Sequence, residues 1–520
     1  MHRRRRRRLL HPGHRAVVRP DVLTVRPLVG AAVVVILLAG CTTPPTPSGG
    51  APVPGGFDAI YEQQAFWNAC GDGLDCTTVS APVDWSDPAS DRIQLAVVRQ
   101  ESTNTTKGTV LTNPGGPGGS GFDFVSFGYA VSPALRADYD VVSWDPRGVG
   151  RSTRVTCFTD PAQTDELLYG PTPAYESDAW LEQTTARAKS FADACGANSG
   201  ELLAHMDTAS NARDMDLIRA VVGSDKLDYV GYSYGTWLGT VYAQLFPGNV
   251  GAMVLDGGYD PTLTGFELFQ QRMVGFDLAF RGYMQNCLDV AGCPFSGDIA
   301  VALGDATALI ASADGRALAD TDGRVLDTAT LATGIASLLY SRNYWGQITT
   351  VLEAFRDGDP SPAFSAADSA NARYEDGTYG NQLEMTLAVT CLDYDFASDT
   401  VATRDRLAQI DAAAPILGTF IARDDYALLD LACRQWPVPP AALPTTFGAA
   451  GVPILVVGTT DDPATPYAWS QSLAAALGTG VLITRNGDGH TGYNKGNACV
   501  DAAVDAFVLQ GTVPASDPNC

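Results

Sequence analysis

Short runs of apolar and β-branched residues recur along the first half of the chain, at Ile93 to Val98, Thr109 to Thr112, Tyr139 to Trp144, Leu227 to Tyr232 and Ala252 to Leu255. Between several of them the spacing becomes helical, as with Leu217, Ile218, Val221 and Val222 in ARDMDLIRAVVG. Strands that alternate with helices predict a largely parallel sheet covered on both faces. The strand pattern returns at Pro453 to Gly458 and at Val481 to Thr484, whereas residues 263–445 carry Ala-rich helical stretches such as DATALIASADGRALAD. The expected architecture is α/β: a core from residues 57–262 and 446–520, interrupted by a mostly helical cap over 263–445.

The N-terminus departs from this pattern. Arg3 to Arg8 precede an apolar segment from Leu28 to Leu38, which ends in Leu38-Ala-Gly-Cys41. A charged region, a short apolar region and small residues before a cleavage point predict an export signal over residues 1–40. L-A-G-C resembles the bacterial lipobox, which implies that Cys41 is lipidated and becomes the first mature residue. TTPPTPSGGAPVPGG then suits a tether over residues 41–56, too poor in apolar side chains to fold. An acyl-bearing cysteine would hold the protein at the outer face of the cell membrane.

Charge and cysteine usage narrow the partners. The 520-residue chain has a formal net charge of −24. Without residues 1–40 it would carry 25 basic against 57 acidic side chains, a balance of −32 that repels phosphate backbones and argues against nucleic acid. Of 11 cysteines, Cys41 is set apart, and ten in an exported chain read as a disulfide set. The expected pairs are Cys70/Cys76, Cys157/Cys195, Cys287/Cys293, Cys391/Cys433 and Cys499/Cys520. No C-x-x-C pair or histidine cluster points to a metal.

The chemistry begins at Leu227-Asp-Tyr-Val-Gly-Tyr-Ser-Tyr-Gly235, where a strand runs into G-x-S-x-G. Leu238, Val241, Tyr242 and Leu245 follow at helical spacing until Pro247. Strand, tight turn and helix make a nucleophile elbow, which raises the Ser233 hydroxyl above the sheet. Ser233 needs a base. The five histidines are His2, His11, His14, His205 and His490, and three leave with the signal. In this chain order the base follows the nucleophile, which selects His490 in NGDGHTGY and leaves His205 structural. The orienting carboxylate is sought after the strand at Pro453 to Gly458, where Asp461 and Asp462 both qualify.

One further loop needs a reading. Gly116-Pro-Gly-Gly-Ser-Gly121 satisfies G-x-G-x-x-G, and Asp145 follows at the distance of a ribose-binding acid. Pro117, however, donates no N–H to a pyrophosphate. The loop after an early strand is instead where a hydrolase places one oxyanion donor, the other being the N–H of Tyr234, the residue after the nucleophile. No nucleotide or other cofactor is expected.

Taken jointly, NPGGPGGSG at 113–121, WDPRGVGRS at 144–152, GYSYG at 231–235, DPATP at 462–466 and GH at 489–490 resemble the prolyl and tripeptidyl aminopeptidase branch of the α/β-hydrolase serine peptidases. The likeness spans the mature chain, including AVTCLD at 388–393. It implies an α/β-hydrolase fold, with Ser233 as nucleophile, His490 as base and Asp462 as the acid because it directly precedes the proline. It also implies oxyanion donors at Gly116, with Gly115 as the alternative, and Tyr234. Pro114 departs from the histidine that many prolyl aminopeptidases carry before this loop. The implied protein is a lipid-anchored cell-envelope peptidase acting on peptides or proteins near free N-termini through an acyl-enzyme. Glu384 and Asp393 of the cap are candidates for holding the substrate ammonium. Two rival readings are a carboxylesterase or lipase-type hydrolase with the same triad, and a non-catalytic surface binding protein on a hydrolase scaffold.

Overall fold

The computed structural model describes residues 55–520 apart from 398 and 450. Cys41 and the segments read as signal and most of the tether lie outside these residues. Nine strands form one sheet: β1 (Asn68–Gly71), β2 (Leu74–Pro82), β3 (Arg92–Gln100), β4 (Thr109–Asn113), β5 (Asp140–Trp144), β6 (Leu227–Tyr232), β7 (Val250–Asp256), β8 (Ile454–Asp461) and β9 (Gly480–Asp488). Their order is β1-β2-β3-β5-β4-β6-β7-β8-β9. The first three strands join antiparallel, and every pairing from β5 through β9 is parallel.

Seven of these strands cover the runs picked out by hydrophobic pattern. The β1/β2 hairpin carried no such signal. β1 is exposed throughout, and β2 mixes Asp75, Thr77, Thr78 and Ser80 among its buried positions. Alternate residues of the parallel strands serve opposite faces. In β8, Ile454 and Val456 join the cluster that continues into the helical insertion, while Leu455 and Val457 join the cluster under the C-terminal helix with Val500 and Val504.

Six helices position the site: α1 (Thr208–Val221), α2 (Tyr234–Leu245), α3 (Gly265–Leu288), α4 (Thr328–Leu339), α5 (Gln382–Asp393) and α6 (Asp425–Arg434). The last four belong to the stretch between β7 and β8, which is helical with no sheet strand of its own among the described residues. The DATALIASADGRALAD stretch is shorter as helix than its composition suggests: it stops at Arg316, and Ala317 turns left-handed at φ 49°. α3 opens with a capping box, Thr264 and Glu267 bonding each other's backbone N–H. It then packs against the helix Tyr467–Ala476 that follows β8, where Gln271 accepts from Trp469 Nε1 at 2.7 Å.

The WDPRG segment is a brace. Arg147 and Asp214, both fully buried, form a two-pronged pair with both contacts at 2.7 Å. The remaining guanidinium hydrogens go to carbonyls of Pro82, Val83 and His205, so the buried charge is satisfied on all sides. Asp145 accepts from Ser120 Oγ at 2.5 Å and from the N–H groups of Phe122 and Arg151. It ties down the end of the glycine loop.

Cystines join Cys70 to Cys76, Cys157 to Cys195, Cys287 to Cys293, Cys391 to Cys433 and Cys499 to Cys520. Five such bonds suggest a chain exported from the reducing cytoplasm. Cys391–Cys433 staples α5 to α6 across 42 residues. Loop-closure entropy assigns such a link about 4 kcal/mol. The Cys391→Ser/Cys433→Ser protein is therefore expected to unfold at clearly lower urea concentration than the parent under oxidising conditions, and an unchanged midpoint would show that the link constrains nothing.

Candidate active site

Four neighbouring parallel strands, β6, β7, β8 and β9, bring their C-terminal ends to one edge, and each is followed by a residue of the site. Ser233 follows β6 with φ 56° and ψ −123°, a left-handed backbone that L-residues avoid and that surrounding bonds must hold. Its N–H donates to Asp256 O at 2.8 Å, while its carbonyl accepts from Thr236 N–H and Thr236 Oγ1 at 2.8 and 2.6 Å. Gly231 is required for the sharp turn, because a Cβ there would lie 2.5 Å from Gly235 O.

Asp462 follows β8 and is buried. Its carboxylate accepts from the N–H groups of Ala464, Thr465 and Thr491, and from His490 Nδ1 at 2.9 and 3.0 Å. An ionised carboxylate can only accept, so the proton sits on Nδ1 and Nε2 offers a lone pair. The neighbouring Asp461 is exposed and bonds Thr460 Oγ1, not the imidazole. Gly257, just past β7, lies against the histidine loop with φ 73°, and a Cβ there would stand 3.3 Å from His490 Cε1, 3.1 Å from Thr491 Cγ2 and 3.0 Å from Thr465 Oγ1. A side chain there would crowd the imidazole and strain the positive φ. His205 is remote from this edge, its carbonyl engaged by Arg147 and its ring nearest Asp84.

The histidine loop is held from two sides. From the core, Asp256 at the end of β7 accepts the N–H groups of Gly492 and Tyr493 at 2.8 to 3.0 Å. Burial pushes this carboxyl up to about 6, opposed by those bonds. From the insertion, Tyr340 just past α4 accepts the His490 N–H on its carbonyl at 2.9 Å, and its ring stands edge-on to the imidazole at 5.2 Å. Arg342 adds an ion pair to Asp488 at 2.8 Å. Neither Asp256 nor Tyr340 carried a sequence signal, because each acts through a contact distant along the chain.

The glycine loop follows β4, whose Asn113 pairs in register with Gly231 of β6. Gly115 N–H donates to Asn113 Oδ1 at 2.9 Å and is thereby engaged. Gly116 faces a cavity of about 250 Å³ that Tyr234 also lines, together with Tyr259, Arg272, Asp393 and Asp425.

The two carboxylates expected to hold an ammonium are placed differently. Glu384 is buried near Arg154 on the side of α5 opposite the cavity, since Gln382, Thr386, Thr390 and Asp393 provide the lining face. Asp393 does line the cavity, but Thr208 N–H, Thr208 Oγ1 and Trp237 Nε1 occupy it at 3.0, 2.5 and 3.2 Å. Burial raises it to about 7. Asp425, at the start of α6, opens onto the same cavity, where it is exposed, and accepts no hydrogen bond among the described residues; the protein crowded around that opening raises its carboxyl to about 6, with Arg272 opposing. Arg272 reaches across from α3 to Tyr259 Oη at 2.8 Å and the Ala464 carbonyl at 3.3 Å.

The family model described as TAP-like protein matches residues 419–520. The chain is 35% identical over 463 residues to the serine protease Hip1 of Mycobacterium tuberculosis, covering 86% of this chain and 87% of that protein. It is 37% identical over 504 residues to carboxylesterase B of the same species, covering 93% and 94%. It is 32% identical over 469 residues to the tripeptidyl aminopeptidase of Streptomyces lividans, covering 86% and 83%.

Proposed function

This chain belongs to the TAP-like family of α/β-hydrolase serine peptidases, and from that premise we propose that it removes short peptides from free N-termini by an acyl-enzyme route, with Ser233, His490 and Asp462 as its triad. The supporting observation is the Asp462–His490 pair at 2.9 Å, on the strand end beside a Ser233 held in a left-handed elbow. Ser233 Oγ attacks the scissile carbonyl as His490 Nε2 takes its proton. The oxyanion receives the N–H groups of Tyr234 and Gly116, since Gly115 is spent on Asn113. Collapse expels the amine with the proton from His490, and water then repeats the sequence on the Ser233 ester. Cys41 would carry the lipid that keeps the enzyme at the membrane surface.

Among the carboxylates of the cavity, Asp425 is the better partner for a substrate ammonium because its oxygens are uncommitted, whereas Asp393 already serves Thr208 and Trp237. Its sign with pH follows from its raised value: the carboxyl is protonated below about 6 and binds an ammonium only when ionised above it. For peptides with a free amine, kcat/KM is expected to rise from pH 5 to 7 more steeply than for the same peptides N-acetylated. Asp425→Asn is expected to raise KM for the free peptides about tenfold or more and to abolish that difference, as loss of a charged hydrogen bond costs about 1.5 to 3 kcal/mol. Equal profiles for free and acetylated peptides in the parent would point to an endopeptidase, and turnover of short-chain nitrophenyl esters alone to an esterase, the activity named for the 37%-identical relative.

A further inference from the structure

A second and larger space opens beside the first. It has a volume of about 810 Å³ and lies within the helical insertion, between α3, α4 and the segments at 344–351 and 362–371. The two spaces share Phe269, Arg272, Ala370, Asn371 and Asp425, which stand between them. Gly116 and Tyr234 face only the smaller space, and Tyr340 faces only the larger one.

This division follows the chemistry of the bond to be broken. The carbonyl oxygen of the acyl half must reach the N–H groups at Gly116 and Tyr234. The departing nitrogen must reach His490 Nε2, which protonates it. Tyr340 is packed on that imidazole, ring centroids 5.2 Å apart, and is bonded through its carbonyl to the His490 N–H. A chain attached to the departing nitrogen therefore passes Tyr340 into the larger space.

Phe269, Phe276, Tyr340 and Tyr344 face it among small polar side chains such as Ser337, Thr350 and Ser369, and among the described residues its charged groups are Arg272 and Asp425 on the partition. Tyr340 and Tyr344 remain 41% and 47% exposed, large rings left uncovered beside a cleft. We propose that this space is the leaving-group subsite, that it selects peptides whose first residue after the scissile bond is aromatic or large and apolar, and that Tyr340 is the residue that determines this preference. The proposal rests on the peptidase reading above.

Acyl transfer tests the subsite directly, because an added amine must enter where the leaving chain departs. The acyl-enzyme is formed from a tripeptidyl anilide, and phenylalaninamide or glycinamide is supplied as acceptor. The amine nitrogen bonds to the acyl carbon, the bond from that carbon to Ser233 Oγ breaks, His490 takes the amine proton, and a proton returns to Oγ. The ratio of amide to free acid, measured by mass spectrometry, is expected to favour phenylalaninamide over glycinamide by on the order of tenfold or more in the parent. Tyr340→Phe is expected to keep that preference, and Tyr340→Ala, which also strips the ring from His490 and so slows anilide hydrolysis, to bring the product ratio of the acyl-enzyme that still forms to near unity. Tyr344→Ala is expected to weaken it partially. Equal transfer to both acceptors in the parent, no transfer to either, or an undiminished preference in Tyr340→Ala would overturn the assignment. Absence of any Ser233-dependent turnover would instead sink the peptidase reading itself.

Discussion

Replacement of Ser233 by alanine is expected to lower kcat by about 10⁶-fold while leaving substrate affinity close to that of the parent. The nucleophile and base act as one unit, so removing the hydroxyl forfeits what both supply; what remains comes from the oxyanion donors and from binding. The backbone should not suffer. Ser233 keeps its left-handed conformation through bonds of its main chain, its N–H to Asp256 and its carbonyl from Thr236, and alanine makes all of them. The decisive measurement is single-turnover cleavage of a tripeptidyl anilide beside a thermal unfolding curve. A Ser233→Ala protein that folds like the parent yet retains more than about a thousandth of its rate would remove Ser233 from the nucleophile's place, given the size of triad losses elsewhere.

The second large effect is expected at Asp462. Asp462→Asn preserves shape but replaces one acceptor oxygen with a donor, so His490 is pushed toward the tautomer that carries its proton on Nε2, where it cannot take one from Ser233. In serine peptidases that change costs about 10⁴ in kcat. Two backbone N–H groups, those of Ala464 and Thr465, share Oδ1, and Thr491 N–H meets Oδ2, which means the amide must also leave at least one of them poorly served. A modest loss of stability should accompany the kinetic one. The adjacent Asp461 gives the control: it is exposed, and Asp461→Asn is expected to change kcat by less than about threefold, as for surface substitutions in general. Similar losses at both positions would deny Asp462 its special role.

Much of this site was legible before any coordinates. The hydrophobic runs marked seven of the nine strands because strands buried on both faces contain few polar residues. G-x-S-x-G was informative through its context, a strand before it and a helical spacing after it. His490 emerged because so few histidines were left to choose from. The family likeness narrowed Asp461 and Asp462 to the one that precedes proline, and in the structure Asp462 is the one that meets His490 Nδ1. The carboxylates of the insertion were read less well. Glu384 faces away from the cavity and Asp393 is committed to Thr208 and Trp237, while Asp425, Arg272 and Tyr340 carry no local sequence signal.

The difference has a physical cause. A turn, a strand period or a helix start is decided by residues within a few positions of one another, so the elbow, the strand ends and the order of serine, acid and histidine could be read from the chain alone. Which face of a cap helix looks into a cavity depends on how that helix is rotated against its neighbours, and a rotation of half a turn exchanges Glu384 for Asp393. That rotation is set by packing among residues far apart in sequence, such as the staple from Cys391 to Cys433 and the bonds of Asp393 to Thr208 and Trp237. The serine, the acid and the histidine were marked by local pattern and chain order; only packing between distant segments settled which side chains of the insertion face the cavities.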